Sequence, residues 1–204
     1  MGTKYGNGLV GSYTYHCGAS ASYKVTVPSG YSCKITFRIT VRTDYGGWAA
    51  GSYSLSFSGC SRTVYKDQSG ECSTSGKVGP GSYTAQVTRT LPSGNTRPEL
   101  YYTIEASFSE CEYWKPCDPA SDSCSSSSAC GKRCDAPVLT TDYTCYIYCD
   151  GSDTVIEGRC VAKESNDQVV ESVQSGSNGW KCRFKCNTPF CTANGCAYIK
   201  CRSY

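Results

Sequence analysis

The chain has 204 residues, a formal net charge of +3, 18% charged residues, and 17 cysteines against one histidine and one methionine. So small a net charge excludes the basic footprint of a nucleic-acid-binding protein, and no apolar run reaches the ~18 residues that would span a bilayer as a helix. Cysteine at this density points to an oxidising compartment, because cytosolic thiols are kept reduced.

The expected location is therefore extracellular or at a cell surface. The first residues, MGTKYGNGLVGSY, lack the basic head and apolar stretch of a secretory leader, so export implies a leader already removed. If Met1 is instead the natural start, a hyperthermophile cytosol or a virus is the alternative source.

Taken in chain order, the first 110 residues are dominated by period-2 alternation. A weaker strand is expected over residues 12–17, then one carrying Tyr23, Val25 and Val27. After the turn VPSGYS comes the cleanest element, CKITFRITV. It sets Cys33, Ile35, Phe37, Ile39 and Val41 on one face and Lys34, Thr36, Arg38 and Thr40 on the other. This is the pattern of a half-buried antiparallel strand. Strands follow at Tyr53/Leu55/Phe57, more weakly at residues 62–65, then at Tyr83/Ala85/Val87 and at Tyr102/Ile104/Ala106/Phe108. Turn clusters such as GPGS and LPSGNTRP separate them. With no helical period, the expectation is an all-β fold, with an antiparallel, jelly-roll-like β-sandwich over residues 1–115.

Composition then changes. KPCDPASDSCSSSSACGKRCD combines proline, serine and cysteine, and residues 116–135 read as a linker stapled by disulfides. Residues 136–204 read as a small disulfide-rich β domain, in which YTCYIYC, GWKCRFKC and CAYIKC each alternate. SNDQVVESVQSG admits a short helical turn with Val169, Val170 and Val173 on one side. From Cys117 onward there are 12 cysteines and few apolar side chains; disulfides substitute for a core that so short a unit cannot build.

All the cysteines are disulfide candidates: Cys17, Cys33, Cys60, Cys72, Cys111, Cys117, Cys124, Cys130, Cys134, Cys145, Cys149, Cys160, Cys182, Cys186, Cys191, Cys196 and Cys201. Three C-x₃-C pairs occur, Cys130/Cys134, Cys145/Cys149 and Cys182/Cys186. Positions four apart on a strand are roughly 13 Å apart, beyond the ~7 Å a disulfide spans. Each must bond to another segment. Cys60–Cys72 could close a short loop, Cys17–Cys33 could staple two strands, and Cys111 is expected to reach the linker. The odd total leaves one thiol free, modified or bonded to another chain. No C-x₂-C knuckle occurs and His16 is the sole imidazole, so neither a metal nor another cofactor is expected.

The order TVPSGYSCKITFRITV, YSLSFSG, VGPGSYTAQVTRT, LYYTIEASF resembles the pre-peptidase C-terminal domain, a β-sandwich appended to secreted microbial enzymes and surface proteins. The resemblance covers roughly residues 13–108. A CUB-type sandwich, suggested by Cys17/Cys33 and Cys60/Cys72, is a weaker competitor. The acidic residues of calcium-binding versions have no match here, so calcium is not carried over. The resemblance implies an accessory or adhesive module without its own catalysis.

Catalytic constellations are scarce. A nucleophile triad would have to use His16, and no G-x-S-x-G, H-E-x-x-H or phosphate-loop spacing is present. Glu99/Glu105 and Glu110/Glu112 could pair for glycoside hydrolysis, but Glu105 shares its face with Tyr101 and Thr103 as a solvated strand residue does. Cys149–Asp153, CDGSD, reads as an Asx turn rather than a calcium loop.

Aromatic residues are better binding candidates. Tyr45 and Trp48 sit on the Gly-rich loop DYGGW, while Trp114 is expected to be buried between the domains. Residues 118–171 hold ten acidic and four basic side chains, and 181–202 hold five basic and no acidic ones. Lys181, Arg183 and Lys185 share the face opposite Cys182, Phe184 and Cys186, a basic stripe suited to anionic glycans or to the acidic half of a second copy. The expected function is that of a non-catalytic extracellular structural protein, a subunit of a surface filament, coat or similar assembly. The partners are then copies of itself. The alternative is a secreted carbohydrate-binding or adhesion module, and a small hydrolase or toxin is the remaining one.

Overall fold

The computed structural model describes residues 8–16, 20–43, 51–91, 100–114 and 132–203, with the backbone alone for residues 8–16. Every regular element among them is a strand, paired antiparallel throughout. The chain divides into two compact units, Met1–Cys111 and Glu112–Tyr204.

The first unit contains β1 (Gly8–His16), β2 (Ser20–Val27), β3 (Tyr31–Thr43), β4 (Ser52–Phe57), β5 (Cys60–Val64), β6 (Ser69–Ser73), β7 (Gly81–Thr90) and most of β8 (Leu100–Trp114). Its strands form two layers, ordered β1-β8-β3-β6 and β2-β7-β4-β5. That interleaving is the strand order of a jelly roll, in which paired Greek keys alternate between two sheets.

Alternation drives the assembly. Ile35, Phe37, Ile39 and Val41 of β3 are buried, as are Tyr53, Leu55 and Phe57 of β4, Ala85 and Val87 of β7, and Tyr102, Ile104, Ala106 and Phe108 of β8. Burying a large apolar side chain contributes about 1.5–3 kcal/mol, so these alternating faces define which side of each strand turns inward. The two buried tyrosines at the centre keep their hydroxyls satisfied: Tyr53 donates to the Leu100 carbonyl at 3.0 Å, and Tyr102 shares a 2.6 Å bond with Tyr23. Ser58 (φ +49°) and Gly59 (φ +78°) form the two-residue turn between β4 and β5, the backbone that a tight, right-twisted hairpin requires. The short β6 escaped the sequence pattern because only Cys72 of its five side chains is buried.

Two disulfides hold this unit. Cys60–Cys72 forms as the spacing suggested and links edge strands of the two layers. Cys33, however, bonds Cys111, neither Cys17 nor the linker being its partner. The cause is local. Burial alternates along β8 as far as Ser109, then slips by one at Glu110, whose φ is +53°. That slip turns Cys111 to the buried side; strict alternation from Phe108 would have faced it outward. Cys17 lies outside the described residues.

The second unit contains β9 (Lys132–Asp135), β10 (Asp142–Tyr148), β11 (Thr154–Ala162), β12 (Asp167–Ser175), β13 (Gly179–Cys186) and β14 (Asn194–Arg202), together with residues 112–114 of β8. One layer is β10-β13-β12. In the other, β14 pairs β11 along one edge and β8 and β9 along its opposite edge. Of the expected linker, residues 116–131 lie outside the described residues, and β9 is the remainder. The segment read as a possible helical turn is strand β12. Its pairing with β13 outweighs local propensity, and Val169, Val170 and Val173 are left exposed.

Three disulfides cross between these layers: Cys134 (β9) to Cys145 (β10), Cys149 (after β10) to Cys201 (β14), and Cys160 (β11) to Cys182 (β13). Cys186–Cys191 closes a short loop. Each cysteine of the Cys145/Cys149 and Cys182/Cys186 pairs bonds elsewhere, as strand spacing requires. Every cysteine among the described residues is disulfide-bonded. The bridged Cα atoms are 5.7–5.9 Å apart, whereas facing sheets ordinarily stand about 10 Å apart. Glycines accommodate the close approach. A Cβ on Gly158 would sit 2.0 Å from the Trp180 ring, and one on Gly195 would sit 2.0 Å from the Phe184 ring.

Two stability measurements follow. By loop-closure entropy, Cys33→Ser/Cys111→Ser, opening a separation of 78 residues, should cost about 4 kcal/mol; Cys60→Ser/Cys72→Ser, opening 12, should cost about 3. Guanidinium unfolding gives both values, and the reverse order would contradict this reading. Gly195→Ala should destabilise by about 1–3 kcal/mol through overpacking against Phe184. Gly76→Ala, whose added carbon meets nothing within 4 Å, should leave the thermal midpoint unchanged.

Candidate functional site

On β13 the inward positions Trp180, Cys182, Phe184 and Cys186 alternate with Lys181, Arg183 and Lys185 on the outer face of the three-stranded sheet. The three basic residues share that face, but two of them are paired within the sheet. Arg183 donates from Nε to Asp142 Oδ1 at 2.7 Å and from Nη2 to Asp142 Oδ2 at 2.5 Å, a bidentate contact from β13 to β10. Lys181 Nζ lies 2.7 Å from Glu171 Oε2 on β12. Lys185 is exposed and stands in register opposite Asp142. Exposed pairs of this kind add little stability; their consequence here is that two of the three cations on the face are neutralised.

The other end of the basic segment is treated in the same way. Lys200 and Arg202 both reach Glu112, at 3.0 and 3.4 Å, and Glu112 is 7% exposed. Four of the five basic residues of the segment are thus held by carboxylates within the fold, and Lys185 is left exposed on the stripe. Glu110, the other member of the proposed carboxylate pair, lies 3.8 Å from Lys34.

Neighbouring Lys181 and Arg183 on the same face are Tyr146 and Tyr148 of β10. Their ring centroids are 6.3 Å apart with planes 12° from parallel, and they are 39% and 50% exposed. Tyr146 is in register with Lys181, and Tyr148 with Gly179. The Tyr148 ring lies so close to Gly179 that an added Cβ would meet it at 2.8 Å. The alternation of YTCYIYC carried the signal for this pair: with Cys145 and Cys149 turned inward, Tyr146 and Tyr148 must face out.

Further apolar side chains are exposed on the second unit. At one end, residues 136–141 and 187–193 run together, joined by the Ala136 N–H to Ala193 carbonyl and Ala193 N–H to Thr140 carbonyl bonds. They present Val138, Leu139 and Phe190, which are 74%, 62% and 87% exposed. Leu139 and Phe190 have φ of +40° and +62°, a region that costs a non-glycine residue energy. The edge strands β11 and β12 expose Ile156, Val161, Val169, Val170 and Val173, each between 38% and 45%, but on different faces: Val173 is in register with Lys181 and Val169 with the inward Phe184, while Val161, in register with Cys196, alternates with the inward Cys160. Ile156 and Val170 are the inserted residues of two β-bulges, a device that discourages strand-to-strand addition at an open edge.

The first unit has a related pair of edges, β5 and β6, with a different surface. Ser61, Arg62, Thr63, Ser69 and Glu71 are exposed there, beside a groove of about 760 Å³ lined by Arg38, Arg62 and Glu71, with Arg38 Nε 3.6 Å from Glu71.

Tyr45 and Trp48, together with Glu99, lie outside the described residues, as does the side chain of His16. Trp114 packs on Cys196 and Tyr198 within the second unit, and the Arg159 guanidinium stands 4.7 Å from the Tyr198 ring centroid. In the CDGSD turn the Asp153 N–H donates to the Asp150 carbonyl at 3.0 Å. The buried Asp153 carboxylate accepts from the Tyr113 hydroxyl at 2.6 Å. Burial, followed by that hydrogen bond, pushes the Tyr113 phenol far above its ordinary value. Among the described residues no group of three or more His, Cys, Asp or Glu side chains is placed to hold a metal ion. No protein-family model matches the chain, and no curated protein matches it in sequence.

The ion pairs make a pH prediction. The hydrogen bond from Arg183 holds the Asp142 carboxyl below the usual carboxylate range, reinforced by the charges of Arg183 and Lys185. A depressed pKa contributes stability that is present above the unfolded value and is lost as pH falls through the folded one. Asp167 is pushed the other way: burial raises it despite backbone hydrogen bonds from Asn194 and Glu164, and its Oδ2 has no partner. Carboxyl NMR titration should place Asp142 below and Asp167 above ~3.9. Arg183→Gln should return Asp142 to the ordinary range and leave Asp167 unmoved; an Asp142 midpoint unaffected by that substitution would refute the pairing.

Proposed function

We propose that this chain is a non-catalytic extracellular structural protein, a subunit of a surface filament, coat or similar assembly whose durability comes from its disulfides. The observation that carries this reading is the apolar tip of the second unit, where Val138, Leu139 and Phe190 are exposed on two hydrogen-bonded loop segments. Among the described residues nothing covers these side chains. An apolar patch of this kind on a soluble unit marks a contact surface. A tip that meets a different part of the next copy makes a heterologous contact, which propagates into a ring or an open filament.

Other features support the same reading. The first unit's corresponding edges are polar, which is how this chain builds a side meant for water. The bulges on β11 and β12 favour side-chain contact over unregulated strand addition. The tip segments carry Asp135 and Asp142 and no lysine or arginine across residues 135–142 and 186–194, which disfavours docking on an anionic lipid surface. Jelly rolls occur in viral coats and in lectins alike, so the fold by itself does not choose a function. The accessory or adhesive role implied by the pre-peptidase resemblance is compatible with an assembled surface protein.

Under non-reducing conditions the protein should sediment well above its 22.0 kDa monomer mass and form ordered particles by electron microscopy. Leu139→Asn/Phe190→Asn should yield monomers without loss of thermal stability, since asparagine tolerates positive φ better than the native residues. A wild-type protein that stays monomeric at high concentration would reject the assembly reading.

A further inference from the structure

Independently of assembly, the geometry points to a carbohydrate-binding platform on the outer face of β10, with Tyr146 and Tyr148 as its stacking residues and neutral, flat pyranose chains as its ligand class. A pyranose whose substituents are equatorial presents a C–H face that packs on an aromatic ring, and its hydroxyls require hydrogen-bonding partners around the rim. Tyrosine supplies a broad apolar surface with few rotors and a polar tip. Here two such rings lie 6.3 Å apart and 12° from parallel on the solvent side of one strand, 39% and 50% exposed, so each offers an open surface on which a sugar can pack.

The strand beneath is held rigid. Cys145, next to Tyr146, is bonded to Cys134, and Cys149, next to Tyr148, is bonded to Cys201; Ile147 between the tyrosines is buried. A platform fixed in this way loses little conformational entropy when a ligand binds, which is the advantage of preorganisation. β10 is also an edge strand of its sheet, so a ligand longer than the platform can extend past it.

The polar rim selects the class. Lys181, in register with Tyr146, holds Glu171 at 2.7 Å. An ammonium has three donors, and a hydroxyl can share the pair without either charge being uncovered. Arg183 and Asp142 form a second neutral pair on the same face. Of the three cations on this face, Lys181 and Arg183 are already held by carboxylates and Lys185 is left exposed, so sulfated and uronic chains, which need several free cations, are disfavoured and neutral ones favoured.

The test is isothermal titration with cellohexaose and chitohexaose, with heparin hexasaccharide as the anionic arm. Saturable binding of at least one neutral hexasaccharide is expected, weakened tenfold or more by Tyr146→Ala. Tyr148→Phe, which keeps the ring over Gly179, should bind within about twofold of wild type. Circular dichroism should show both variants folded. The neutral-platform inference is overturned by any of three results: no neutral binding by wild type, stronger binding of heparin, or affinity unchanged by Tyr146→Ala but lost on Trp48→Ala. Because the readout is ligand binding, its failure leaves the sedimentation result untouched, and the converse also holds.

Discussion

The constraint on which the second unit depends is the short distance at which disulfides hold its two layers. Three bridges fix Cα atoms of opposite sheets 5.7–5.9 Å apart, too close for two full layers of side chains at the usual ~10 Å spacing. The interior is then built largely of sulfur, glycine and alanine, with Ile147 and Ile199 as its aliphatic side chains and rings laid directly on the opposing backbone. Trp180 over Gly158 and Phe184 over Gly195 are such rings. The first unit solves the same problem by ordinary means, with Ile35, Phe37, Tyr53, Leu55, Ile104 and Phe108 filling a sandwich of common thickness.

That difference accounts for the surfaces. A thin interior has little room for aliphatic side chains beyond Ile147 and Ile199, and those of β11, β12 and the end loops stay outside. A disulfide-clamped framework can carry them there, because its stability does not rest on burying them. The same clamping stiffens β10, whose inward cysteines are both bridged. Assembly through apolar patches and glycan stacking on Tyr146 and Tyr148 would each draw on this one property: a rigid unit with its apolar groups turned outward.

Electrostatics then restrict what those surfaces can meet. Lys181, Arg183, Lys200 and Arg202 all find carboxylates within the unit, so most of the basic charge of residues 181–202 is already engaged. Lys185 is the basic residue of the stripe that remains exposed beside an acidic neighbour already engaged. Partners held by a basic patch are therefore poorly served, and apolar or stacking contacts gain relative weight.

Period-2 alternation alone was enough to establish the all-β class, the inward faces of β2, β3, β4, β7 and β8, and the rule that C-x₃-C cysteines bond outside their own strand, because side-chain direction along a strand is a local property. Only tertiary pairing could show the Cys33–Cys111 bond, which turns on a one-residue slip at Glu110, and the identity of β12, whose valines fit a helical turn until β13 lies beside them. The candidate face on β10 and β13 was likewise half legible. The outward position of Lys181, Arg183, Tyr146 and Tyr148 followed from alternation. That two of the cations were already neutralised and the two rings lay parallel depended on cross-strand register, which brings together residues as far apart as Asp142 and Arg183 and is not encoded in any local pattern.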